Sequence, residues 1–186
     1  MEKQLHNIIT VTLFSFFPIS LILGNFSINL NIILINFLLF YNCYEFKNWA
    51  WLKDKIFKLL LIFYFFLIIN SIIFYYLTDY SNYDGIARSF GFIKFIFLAY
   101  ALRLLVKDKK ILDNIIRNWF IIIIIIIIDV LFEKKFGHNI FGNISPDATR
   151  IVSFFSNELV VGGLILCFGF LIATYFLDKK LDIKSK

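Results

Sequence analysis

Apolar runs of about 20 residues recur along this 186-residue chain, with most of the charge confined to the short gaps between them. A soluble domain of this size has too little interior to hide six such runs, because its surface fraction is still high. A lipid bilayer is the environment that accepts them. The composition agrees. Hydrophobic residues make up 60%, charged residues 17%, and the mean hydropathy is +0.81. Two prolines and eight glycines exclude collagen-like and disordered classes, and two cysteines exclude a disulfide scaffold.

Not every residue in those runs carries information. The chain holds 34 Ile and 14 Asn against 6 Ala. Such a skew points to a bias acting on every codon, so single Ile, Phe and Asn residues count for little. The octet Ile121–Ile128 reads as membrane filler. Gly, Pro, Arg, Asp, Glu and His resist the bias and are the residues to read.

Six spans are expected, at about 6–23, 26–44, 57–78, 88–106, 115–132 and 158–177, in an all-α bundle. Pro18 predicts a kink in the first. No small-x-small cleavage site follows that span, so it reads as permanent rather than as a signal peptide. Asn29, Asn31 and Asn36 weaken the second span, and Lys94 and Arg103 interrupt the fourth. Basic residues set the sidedness. Lys3, the segments 42–58 and 103–117, and the tail hold fourteen of the nineteen. They fall on alternate connections, so both termini are expected in the cytoplasm, with 79–87 and 133–157 external. Trp49, Trp51, Tyr41 and Tyr44 lie where an interfacial aromatic belt belongs. Cys43 and Cys167 read as packing thiols. Gly169 and Ala173, a small-xxx-small pair, suit close helix packing.

The net charge of +6 is mostly this sidedness signal. The basic residues form no single stripe, so no nucleic-acid partner is expected. No Cys/His cluster has zinc spacing and no glycine-rich phosphate loop is present, so no cofactor is expected.

The charges on the outer side are the candidate site. Asp129 ends the isoleucine octet and reads either as an interfacial carboxylate reaching water or as one facing a polar cavity. Glu133 lies one turn further on the same helical face. Arg88 and Lys94 lie six residues apart in the fourth span, offset by roughly 120°. A half-buried cation there needs an anionic partner, whether Asp129, Glu133 or a lipid diphosphate. In the loop 133–157, Gly137 and Gly142 suit positive φ and Pro146 suits a turn. His138 is a weaker candidate. Arg150 is placed to hold a phosphate by a bidentate contact. Ser156 or Asn157, with Glu158, suits the start of the sixth helix.

The run Asp129-x-x-x-Glu133-x-x-x-Gly137-x-x-x-Phe141-Gly142, followed by Arg150-x-x-Ser153-Phe-x-x-Asn157-Glu158, resembles the O-antigen ligase/polymerase superfamily over roughly residues 129–163. Glu133 stands where that family usually has Gln, Ser153 where Gly is frequent, and Glu158 where Pro is frequent. The resemblance implies a multi-pass protein of the bacterial inner membrane. It implies transfer of a glycan from undecaprenyl diphosphate, at the periplasmic face, to another glycan or to lipid A core. The transfer would be metal-independent, with Arg residues holding the diphosphate; by their shared outer-side location Arg88, Lys94 and Arg150 are expected to do so, with Asp129, Glu133 and His138 in support. Family members are longer and carry a further large external loop, so the chain is expected to correspond to their N-terminal half. The readings set beside this one are half of a transporter or flippase, whose binding groups would lie near the midplane, and a non-catalytic membrane subunit.

Overall fold

A computed structural model describes residues 2–77, 83–144, 151, 153–155 and 161–184. Among the described residues there are eight α-helices, two short 3-10 turns and no strand. The helices are α1 (Glu2–Ser15), α2 (Phe17–Ile22), α3 (Asn25–Glu45), α4 (Lys55–Leu77), α5 (Asp84–Gly91), α6 (Ile93–Leu105), α7 (Lys109–Phe136) and α8 (Val161–Lys184). They supply six segments long and apolar enough to cross a bilayer: Gln4–Ile22, Asn25–Glu45, Lys55–Leu77, Asp84–Leu105, Lys109–Phe136 and Val161–Lys180. The chain is an all-α, multi-pass membrane protein. The first and fourth spans are each built from two helices. The chain divides into two compact units, Met1–Asn31 with Asp108–Lys186, and Ile32–Lys107.

In the first unit, the expected kink at Pro18 leaves the helix ladder nearly intact. Phe16 N–H donates to the Thr12 carbonyl at 3.0 Å and Ser20 N–H to the Phe16 carbonyl at 2.8 Å, so the ladder crosses the junction of α1 and α2. Proline has no N–H for the carbonyl four residues back, which belongs to Phe14. The Trp119 indole N–H on α7 donates to that carbonyl at 2.8 Å. Asn118 beside it donates to Ser15 Oγ at 2.8 Å. A polar contact across the α1–α7 interface therefore replaces the bond that proline removes.

The core of this unit is a stripe on α8, Val161, Leu164, Phe168 and Ile172, packed against Ile116, Ile123 and Ile126 of α7. The spacing of three to four on α8 is that of one helical face. The isoleucine octet is thus only partly filler, since two of its members are core while Ile121, Ile125 and Ile128 are exposed. The small-residue pair lies off the packed stripe. A Cβ added at Gly169 meets nothing within 4 Å, and Ala173 is exposed. Large apolar side chains, not close backbone approach, hold α7 and α8 together. Gly169→Ala should therefore leave the fold intact and raise its stability by up to about 1 kcal/mol, the helix-propensity difference, read as a higher unfolding midpoint in detergent.

In the second unit, Trp51 leaves the expected aromatic belt for the interior. The turn Ala50–Lys53 carries it inward to 6% exposure. There it meets Phe57 and Tyr100 with ring centroids 5.0 and 5.1 Å away, and its indole N–H donates to Cys43 Sγ at 3.2 Å. Trp49, Tyr41 and Tyr44 remain exposed. Cys43 is a buried packing thiol, but Cys167 on α8 is exposed. Asp54 caps α4 by accepting from Ile56 N–H, and also accepts from Arg103 Nη1 at 2.5 Å and from the Tyr100 hydroxyl. The Arg103 hydrogen bond holds the Asp54 carboxyl below the usual carboxylate range. A lowered folded-state value stabilises at neutral pH, and that contribution disappears as the pH falls through it.

Candidate functional site

The charged candidates fall into two groups, one in each unit. In the first unit, α7 runs four residues into the segment expected as loop. It stops at Gly137, whose φ of +78° and N–H bond to the Glu133 carbonyl at 2.8 Å form a left-handed cap. Glycine adopts that conformation without a Cβ penalty. The charges of Glu133, Lys134 and Lys135 do not end the helix, because the last turn of a 28-residue helix, about 42 Å long, can lie beyond the hydrocarbon.

Asp129 is fully buried and Glu133 is 4% exposed, so neither reaches water as an interfacial carboxylate does. Asp129 accepts the Ile140 N–H at 2.8 Å on one oxygen and the Ser153 hydroxyl at 2.5 Å on the other. Glu133 accepts the Ser153 N–H at 2.6 Å. The i, i+4 spacing places both carboxylates on the face of α7 that the returning chain covers. Asn139 completes the arrangement. It is fully buried, its side-chain oxygen accepts from Phe141 and Asn143 N–H, and its amide nitrogen donates to the Ser153 carbonyl at 2.8 Å. Ser153 is thus bonded through its N–H, hydroxyl and carbonyl. Its φ of +52° is unusual for a residue with a side chain. This polar knot pins the connection between α7 and α8 at two points, residues 139–143 and residue 153.

His138 packs beside Phe132 and Phe136 at the end of α7. Its Nδ1 lies 2.9 Å from the Asn139 carbonyl. That carbonyl can only accept, so Nδ1 carries the hydrogen. Arg150 lies outside the described residues, as do Pro146 and the expected helix start at Ser156, Asn157 and Glu158.

The second unit holds Arg88 and Lys94. Its fourth span starts at Asp84, four residues before the expected start, so Lys94 sits ten residues along a 22-residue segment, deeper than expected. At 1.5 Å per residue that is about 15 Å from the start, near the middle of the span. Between α5 and α6 the chain winds more tightly. Phe92 N–H bonds to the Ser89 carbonyl and Phe95 N–H to the Phe92 carbonyl, both one residue short of the α-helical pattern. A 3-10 turn advances 120° per residue in place of 100°, which rotates Lys94 from its expected 120° offset toward the face of Arg88. Two neighbours hold this turn. The Tyr64 hydroxyl donates to the Phe90 carbonyl at 3.3 Å and Asn36 Nδ2 to the Lys94 carbonyl at 3.0 Å. The result is an open cleft of about 460 Å³ lined by Asp84, Ala87, Arg88, Gly91, Lys94 and Phe95. Lys94 Nζ lies 5.2 Å from the Phe95 ring centroid.

The bonds of Asn36, Asn139 and Ser153 have almost no signature in the sequence. The one available signal was the N-x-x-G-N pattern at 139–143, which places a turn-forming Asn before a positive-φ Gly. Among the described residues, no three His, Cys, Asp or Glu side chains are placed to hold a metal ion. No family model, no curated protein and no solved structure matches the chain.

Proposed function

We propose that the chain handles a polyprenyl-diphosphate-linked glycan at the outer side of the bacterial inner membrane, as an O-antigen-type glycan polymerase or ligase does. The observation that carries this reading is the cleft of Arg88 and Lys94 at the tightened turn of the fourth span. Irregular backbone at membrane depth occurs where it lines a cavity. Ionisable residues inside spans mark ligand paths. Two fixed cations in a site of low dielectric suit a diphosphate, and they would stabilise the charge that develops as it leaves. Arg150 is a further candidate for the same ligand, and Asp129, Glu133 and Asn139 position the connection in whose sequence it lies. Position 153 adds support. The family frequently has Gly there, and Ser153 takes a conformation that glycine adopts freely.

A second reading, half of a transporter or flippase, is favoured by the depth of Lys94 and the interrupted fourth span, since transporters bind substrate near the midplane at discontinuous helices. Proteoliposomes containing the protein, undecaprenyl-diphosphate-linked oligosaccharide and an acceptor glycan separate the two. Glycan laddering that Arg150→Ala abolishes supports transfer. Movement of the lipid-linked glycan between leaflets without laddering supports transport. Neither outcome, with no binding of the lipid diphosphate, overturns both.

A further inference from the structure

We propose that the end of the α7–α8 pair opposite the polar knot is a binding site for an anionic phospholipid. The start of α7 and the end of α8 lie side by side there and line an open cavity of about 440 Å³. On α7, Lys110, Asp113, Asn114 and Arg117 follow the i, i+3, i+4, i+7 pattern of one helical face. On α8, Tyr175 and Lys179 lie one turn apart.

The charge inside is unbalanced. Lys110, Arg117 and Lys179 bring three cations against one carboxylate. That carboxylate, Asp113, already accepts from the Tyr175 hydroxyl and from Lys179 Nζ, the latter at 3.2 Å. Arg117 is partly oriented, since its Nη2 donates to Asn114 Oδ1 at 3.3 Å. The first turn of α7 adds the positive end of a helix dipole. These groups suit a phosphate.

The surface next to the cavity distinguishes a lipid from a free ion. Phe120 and Phe176 lie one turn deeper into the span than Arg117 and Lys179. Their rings pack edge to face at 6.1 Å, and both are exposed. Cations at the membrane surface with an apolar wall below them match a headgroup and its acyl chain. Basic pockets between spanning helices take anionic headgroups in this way. This site adjoins the Lys-rich start of α7 and end of α8, and it is independent of the proposed glycan chemistry.

The test uses the full chain in nanodiscs of phosphatidylcholine, titrated with phosphatidylglycerol and, separately, with inorganic phosphate. Binding is read by native mass spectrometry and by the unfolding midpoint. Wild type should retain phosphatidylglycerol and be stabilised by it. The pair Lys110→Gln and Arg117→Gln should bind it about thirty-fold more weakly, from the contribution of each cation near an anionic surface. Both residues are exposed, so the unfolding midpoint in phosphatidylcholine alone should be unchanged. The pair Lys53→Gln and Lys58→Gln removes the same charge outside the cavity and should change binding less than threefold. Equal loss in the two pairs shows diffuse attraction and overturns the site. Stabilisation by inorganic phosphate at concentrations that displace the lipid overturns the lipid as ligand.

Discussion

Asp129→Ala should destabilise the first unit by about 3 kcal/mol or more, with the earliest loss of structure between residues 137 and 155. The substitution removes the acceptor for the Ile140 N–H and for the Ser153 hydroxyl at once. A hydrogen bond to a charged group contributes about 1.5–3 kcal/mol, and a buried donor left without a partner costs about 1–3 kcal/mol. Ser153 also has a backbone conformation that costs about 1–2 kcal/mol when a side chain is present. With its hydroxyl bond to Asp129 lost, Ser153 keeps the bonds of its N–H to Glu133 and of its carbonyl to Asn139 against that strain. Unfolding in detergent measures the size of the effect. Limited proteolysis locates it, with cleavage expected between residues 137 and 155 while the helices stay protected. Ser153→Ala removes one of the two bonds and should lose about half as much. A stability change below about 0.5 kcal/mol for Asp129→Ala would show that the knot does not hold this connection.

The same network shows which features could be read from the sequence. Hydropathy summed over twenty residues survives a codon bias, so the six spans and their order were legible, as were the positive φ values of Gly137 and Gly142. Features that depend on one side chain finding another were not. The composition inflates asparagine, so a single Asn carries little weight in the sequence. Yet Asn139 closes the loop, Asn36 holds the tightened turn, and Asn118 joins α1 to α7. The partner of Asn139 is fourteen residues away, and no local pattern gives that pairing. Gly169 and Ala173 show the reverse case, in which a familiar spacing occurs off the packed stripe of α8. Arg88 and Lys94 stand out in the sequence because charge inside a span is costly under any codon bias. Their shared cleft depends on a local change of winding that helical periodicity, which assumes 100° per residue, does not contain.

That cost leads to the second large effect. Lys94→Met should impair ligand binding while leaving the protein at least as stable as before. A lysine near the bilayer centre is disfavoured by about 2.5–3.5 kcal/mol on insertion scales, so its replacement by an apolar side chain should make insertion of the fourth span more favourable. The backbone carbonyl that Asn36 bonds at this position is untouched. Binding of undecaprenyl diphosphate should move the other way. A charge-assisted contact worth about 1.5–3 kcal/mol corresponds to roughly a ten- to hundred-fold change in affinity. Adding Arg88→Gln removes the second cation lining the cleft and should bring binding to background. A fluorescent polyprenyl diphosphate titrated into nanodiscs measures the affinity, and an insertion assay on the 84–105 segment measures the stability side. If binding persists in the double variant, the cleft is not the diphosphate site. If insertion worsens in Lys94→Met, the lysine is held by contacts that outweigh its desolvation, and its role is structural.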